Sequence, residues 1–252
     1  MTWWCGPRAA VAAGLLATGS LLAATGTGAL AQAGMDDAAI CINEKADAAK
    51  RLAACGSALA KSGGSDEARA ELLHHRGELL AGQGEHEKAI KDYTDALKLA
   101  ADDSALYISR GNSYDALGEA DKAIADYTVA IRLAPEEASA YYNRGSVFDE
   151  KGDHRRAIAD YGQAIRLDAA FGSAYNNRGL AWQALGEPDK AIADFDMALK
   201  IDARDADVYF NRATAYEDKG DRQKAIDDYK RALEIDPSLE EAKQRIAALS
   251  AR

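Results

Sequence analysis

Small and aromatic side chains recur at a fixed interval along most of the chain. A short run repeats almost unchanged in each interval, as in Lys122-Ala-Ile-Ala-Asp-Tyr127. Small residues such as Ala123 let two helices approach closely, and large ones such as Tyr127 fill the space beside them. This regularity indicates an array of stacked helical units. The positions in register are Gly77, Gly111, Gly145 and Gly179, then Ala89, Ala123, Ala157, Ala191 and Ala225, then Tyr93, Tyr127, Tyr161, Phe195 and Tyr229.

Each interval also carries the signal for a turn between two helices. Gly118 stands where a first helix should end, because glycine accepts the left-handed conformation found at such ends. The next residue is acidic in every copy, and negative charge is favoured at the start of the helix that follows. These residues predict two helices per interval. The acidic residues are Glu85, Glu119, Asp153, Glu187 and Asp221.

The pattern resembles the tetratricopeptide repeat (TPR) family, whose unit is a helix–turn–helix of about 34 residues. The interval from Gly111 to Gly145 has this length. The resemblance covers 70–239 as five units, 70–103, 104–137, 138–171, 172–205 and 206–239. It implies an all-α fold, a right-handed α-solenoid whose first helices line a concave groove. In 104–137 the family positions hold Tyr107, Gly111, Tyr114, Gly118, Ala123, Tyr127, Ala130 and Pro135.

The two ends of the array depart from the pattern, as terminal repeats do. Residues 32–69 fit a degenerate N-terminal helical repeat, in which Cys55 takes the aromatic position. We expect Cys41 and Cys55 to form a disulfide in an oxidising compartment. Two buried free cysteines are the alternative. Residues 240–252 are expected to form a C-terminal capping helix.

Residues 1–31 have the order of a secretory signal peptide. One basic residue, Arg8, precedes a weakly apolar run that ends in small residues. We expect cleavage after Ala31, with cleavage after Ala33 as a second option, and a periplasmic or secreted mature protein. The alternative is an uncleaved signal that anchors the chain in the inner membrane, although glycines interrupt the apolar run.

Composition and motifs narrow the possible functions. The 252 residues include 31 Lys and Arg against 41 Asp and Glu, which gives a net charge of -10 and argues against nucleic-acid binding. The sequence has no phosphate-binding glycine loop, nucleophile elbow or His-Glu-x-x-His motif. His74 and His75 are neighbours, but no further metal ligands accompany them. We therefore expect no enzyme activity, no metal site and no small-molecule cofactor.

An arginine precedes each first-helix glycine, where many TPR proteins have an apolar residue, and the second helix carries a matching aspartate. Arg110 and Asp126 lie eight residues either side of Gly118, so they should meet across the hairpin. We expect structural ion pairs and treat them as exposed pairs worth about 0–1 kcal/mol each. A basic stripe for ligands is the weaker alternative. The pairs are Arg110–Asp126, Arg144–Asp160, Arg178–Asp194 and Arg212–Asp228.

Polar side chains recur where the TPR resemblance places the groove. Asn143, Asn177 and Asn211 share one repeat position, and their amides offer donors and acceptors to an extended peptide backbone. The alternative is that these amides only solvate the helix face. The predicted groove residues are Ser109, Asn112, Tyr142, Asn143, Asn176, Asn177, Gln183, Phe210, Asn211 and Thr214.

Two functions are compatible with this pattern. The first is a non-catalytic protein–protein interaction scaffold of the cell envelope that binds a protein or peptide in the groove. Acidic groove residues favour an extended partner of neutral to basic charge. The second is a self-associating or spacer protein of the envelope without a groove ligand.

Overall fold

The computed structural model describes residues 37–61 and 64–251, so the predicted signal peptide lies outside the described residues. The described part contains thirteen α-helices and no strand. The helices are α1 (37–42), α2 (Ala48–Ala60), α3 (Asp66–Gly82), α4 (His86–Leu97), α5 (Ser104–Ala116), α6 (Ala120–Leu133), α7 (Ala138–Glu150), α8 (His154–Leu167), α9 (Gly172–Ala184), α10 (Pro188–Ile201), α11 (Ala206–Lys219), α12 (Arg222–Ile235) and α13 (Glu240–Ser250).

The five predicted repeats are five helical hairpins, α3–α4 to α11–α12, and each hairpin packs on the next along the chain. The glycine at each turn has a φ between 73° and 81°, as a left-handed helix end requires. The acidic residue after it is the N-cap, immediately before the second helix. The carboxylate of Asp153 accepts a hydrogen bond from the amide of Arg156, whereas that of Glu119 pairs with Lys122. The first hairpin starts at Asp66, four residues before the predicted boundary at 70.

Close contact between a glycine and an aromatic ring holds the two helices of a hairpin together. A β-carbon at Gly111 would lie 2.7 Å from Cε1 of Tyr127, so only glycine fits without a shift. The Tyr127 ring is 1% exposed and Ala123 beside it is fully buried. The small and large positions of the sequence pattern therefore form the core, as close packing requires.

Separate elements close the two ends of the array. A disulfide between Cys41 and Cys55 joins α1 to α2, and both cysteines are fully buried. At the other end, α13 buries Ala242 and packs Ile246 and Leu249 against the last hairpin.

The all-α solenoid predicted from the repeat pattern is confirmed in the described part of the chain. Among residues 37–61 and 64–251, no helix combines the length and apolar character needed to cross a membrane.

Candidate functional site

The first helices of the hairpins form the inner face of the solenoid. Helices α3, α5, α7, α9 and α11 each contact the first helix of the neighbouring repeat. The second helices do not approach one another to this extent in the described residues. An array whose first helices are closer together curves toward them, so these helices line the concave face.

The structure places the predicted amides on contacts between repeats. At every junction of the five hairpins, a side chain of one repeat bonds to the first helix of the repeat before it. Asn143, Asn177 and Asn211 thus each donate one of the two N–H groups of Nδ2 within the chain, and their binding of a peptide backbone stays a prediction. The bonds are Ser109 Oγ to His74 Nε2 (3.0 Å), Asn143 Nδ2 to Asn112 Oδ1 (2.9 Å), Asn177 Nδ2 to Tyr142 OH (3.0 Å) and Asn211 Nδ2 to Asn176 Oδ1 (3.0 Å).

A second polar contact lies between the last two repeats. The amide of Gln183 donates to Thr214 Oγ1 at 3.1 Å and to Asp218 Oδ2 at 2.5 Å. The predicted groove residues Gln183 and Thr214 are thus brought together, and they also hold one repeat to the next.

Aromatic and apolar side chains stand among these polar groups. The Tyr142 ring packs against Phe171, with centroids 4.8 Å apart, and the Phe210 ring packs against Tyr229 at 5.2 Å. Leu180 lies between them in sequence and is 36% exposed. Sequence analysis missed Leu180, although it holds the same repeat position as Ser146 and Thr214.

The Arg–Asp pairs form, but their environment differs from the expectation. Arg144 donates from Nε and Nη2 to the two carboxylate oxygens of Asp160, at 2.7 and 2.9 Å. The assumption of exposed pairs is wrong, because Asp160 is only 7% exposed and its four counterparts are also buried. The hydrogen bonds with the aspartates raise the pKa of Arg76, Arg110, Arg144 and Arg178. The five pairs are Arg76–Asp92, Arg110–Asp126, Arg144–Asp160, Arg178–Asp194 and Arg212–Asp228.

Family models match most of the solenoid. The tetratricopeptide repeat models match residues 70–103, 138–171, 172–205 and 206–239, and a TPR repeat model matches 111–152. The chain belongs to the tetratricopeptide repeat family. No curated protein matches it.

Several solved TPR structures share the fold. A crystal structure of MamA matches at 27% identity with a TM-score of 0.62, over 69% of this chain and 94% of the MamA chain. A second MamA structure matches at 29% identity with a TM-score of 0.61, over 66% and 96% of the two chains. YrrB, described as a TPR protein with an unusual peptide-binding site, matches at 24% identity with a TM-score of 0.61, over 69% and 90%. At that identity the likeness to YrrB shows the fold alone.

The first TPR repeat places ionisable groups at one end of the concave face. The rings of His74 and His75 are stacked with centroids 6.0 Å apart, and Glu78 Oε2 lies 3.1 Å from His75 Nδ1. Burial lowers the pKa of His74. Burial would raise the pKa of Glu78, but the hydrogen bond with His75 and the two imidazoles lower it. This end of the concave face therefore carries a carboxylate beside two imidazole rings.

The concave face carries hydrogen-bonding, aromatic and apolar side chains along five first helices. No group of three or more His, Cys, Asp or Glu comes together as a metal site in the part of the chain that the structure describes. The TPR architecture points to a non-catalytic interaction scaffold.

Proposed function

We propose that this TPR protein is an exported interaction scaffold that binds an extended protein segment on its concave face. The observation that carries the proposal is the exposed apolar side chain of Leu180, one helical turn along α9 from the amides of Asn176 and Asn177. An apolar anchor point surrounded by hydrogen-bonding groups is typical of recognition surfaces.

The charge of this face favours a neutral to basic partner. Glu78 is exposed, Asp218 is exposed beside Gln183, and Asp149 and Glu217 are half-buried. The repeat positions of the predicted groove residues hold no lysine or arginine in any of the five first helices. Complementary charge on the partner would speed association and select against acidic segments.

Export is part of the same proposal. The order of residues in 1–31 supports a signal peptide, with an uncleaved membrane anchor as the alternative. The buried disulfide of Cys41 and Cys55 supports an oxidising compartment, because such bonds are rare in the cytosol. A mature N-terminus at Gln32 or Gly34 would support cleavage, and a retained Met1 would contradict it.

One observation favours the alternative function, a spacer protein. The bonds from Asn143, Asn177 and Asn211 fix each repeat to its neighbour, as a stiff spacer would need. A spacer does not need the exposed Leu180 on its inner face, so the scaffold is the better account.

The test compares one substitution at two exposed leucines. Leu180 is on the concave face and 36% exposed, whereas Leu167 is at the end of a second helix and 41% exposed. Affinity capture from envelope extract uses the wild-type chain, Leu180→Arg and Leu167→Arg, each checked for unchanged helicity. We expect a partner that is retained by wild type and Leu167→Arg and lost with Leu180→Arg. Equal capture by all three baits would favour the spacer.

A further inference from the structure

A cleft opens between the third and fourth repeats, at the edge where the hairpin turns lie. It encloses about 320 Å³ between α8 and α9 and is lined by Arg155, Ile158, Trp182, Leu185 and Glu187. Leu185, which is 38% exposed, lines the cleft together with Ile158 and the Trp182 indole. These three side chains form the apolar floor of the cleft, and the charged side chains of Arg155 and Glu187 stand beside it.

Two other junctions carry an ion pair at the same position. Between the second and third repeats, Lys151 Nζ reaches Asp121 Oδ1 at 2.7 Å. Between the fourth and fifth, Lys219 Nζ reaches Asp189 Oδ1 at 2.5 Å. Each lysine crosses from the end of a first helix to the preceding second helix.

The third junction has lost both members of this ion pair. Leu185 holds the repeat position that Lys151 and Lys219 hold in their own units. Arg155 likewise holds the position of Asp121 and Asp189. The first junction has Leu117 and Glu87 at these two positions, so it has no lysine to form this ion pair.

The charges around the cleft are unequal. Glu187 is 3.3 Å from Lys190 Nζ, which itself lies 4.3 Å from the centre of the Trp182 ring. Arg155 is exposed and has no ion pair among the described residues. An unpaired guanidinium beside an apolar floor is complementary to a carboxylate next to an apolar side chain.

The cleft is separate from the concave face. Asn177 and Trp182 are five residues apart on α9, which places their side chains about 140° apart around the helix. The cleft therefore opens on a different side of α9 from the groove amide of Asn177.

We infer that this cleft is a second docking site, which takes a segment of a partner protein with a bulky apolar side chain next to an aspartate or glutamate. The apolar side chain rests on Ile158, Trp182 and Leu185. The neighbouring carboxylate pairs with Arg155.

The test replaces two lining residues of the cleft, Arg155 and Leu185, with residues that the chain already uses at other junctions. The double variant Arg155→Asp, Leu185→Lys copies the pairs Asp121–Lys151 and Asp189–Lys219, so it should fold as these junctions do. A library of random short peptides is panned against the full-length wild type, with counter-selection against the double variant. A second panning uses Arg155→Glu.

We expect the wild type to enrich peptides that place Leu, Ile, Met or Phe next to Asp or Glu. These peptides should bind the double variant about ten-fold more weakly or worse. Arg155→Glu should instead select Lys or Arg next to the apolar residue.

Three results would overturn the proposal. The first is no enrichment of this pattern. The second is binding of the selected peptides to the double variant as tightly as to the wild type. The third is wild-type dimerisation in sedimentation that the double variant abolishes, because a second copy of the chain would then be the occupant.

Discussion

At the scale of single residues, the paired charges of each hairpin set the strongest constraint. The carboxylate of Asp160 is buried and relies on Arg144 for both of its oxygens. A buried charge that loses its partner costs far more than an exposed pair contributes. The same arrangement recurs in all five hairpins, so each hairpin depends on its own arginine.

Arg144→Met should therefore lower the free energy of unfolding by about 3 kcal/mol, because it leaves Asp160 buried and unpaired. Urea denaturation measures the change. The matched control is Arg166→Met, an exposed arginine of α8, which should stay within about 0.5 kcal/mol of wild type. Equal losses in the two variants would contradict a structural role for the pair.

The missing side chain at Gly162 leaves Arg178 without a hydrogen bond that two other repeats have, so a substitution there should stabilise the chain. Arg110 and Arg144 also donate to Thr94 and Thr128 of the preceding repeat, at 3.1 and 3.0 Å. Gly162 holds the equivalent position before Arg178, and a β-carbon there would lie 3.5 Å from Arg178 Nη1.

Gly162→Thr should therefore raise the free energy of unfolding by about 1 kcal/mol, through the restored hydrogen bond and better helix propensity. Gly162→Val, which has the shape and a similar helix propensity but no hydroxyl, supplies the propensity alone. A threonine variant no more stable than the valine variant would show that the hydrogen bond does not form.

His74 makes the first repeat sensitive to pH. Because burial lowers its pKa in the folded chain, the unfolded chain binds the proton more readily. The stabilisation is complete above the ordinary histidine pKa of about 6.5 and is lost as the pH falls through the lower folded value. His74→Ile, which copies Ile108 of the next repeat, should reduce this loss between about pH 7.5 and pH 5. Identical pH profiles of unfolding in the two proteins would contradict this.

At the scale of helices and hairpins, the sequence predicted what lies within a repeat better than what joins two repeats. The regular interval and the turn glycines were enough to place ten helices and the Arg–Asp contacts. The burial of Asp160 could not be predicted, because it depends on how closely the two helices of the hairpin approach at Gly145, where an added β-carbon would lie 3.2 Å from Asp160 Cβ. The partner of Asn177 is Tyr142, in the repeat before it, and this contact depends on the stacking angle between repeats.

The disulfide should stabilise the N-terminal hairpin and little else. Cys41 and Cys55 are 14 residues apart, and a loop of that size is worth roughly 2–4 kcal/mol. In a repeat array this effect reaches only neighbouring units. Reduction should speed hydrogen exchange in α1 and α2 while leaving α11 and α12 unchanged. Uniform loss of protection along the whole chain would contradict local stabilisation.

At the scale of the whole molecule, the solenoid has two closed ends and one continuous inner face. Glu241, Lys243 and Arg245 of α13 are exposed, so the helix presents a charged surface at this end of the array. Such a surface is unsuited to packing against a further repeat. The first helices form a long inner surface shared by all five hairpins. Recognition by this face is the central claim of the scaffold proposal.

Site-specific photo-crosslinking in cells tests this claim most directly. A photoreactive amino acid replaces Leu180 on the concave face or, in the control chain, Leu167 on a second helix. The scaffold account predicts a defined cross-linked partner from position 180 and none from position 167. Cross-links from both positions alike, or from position 167 alone, would contradict binding on the concave face.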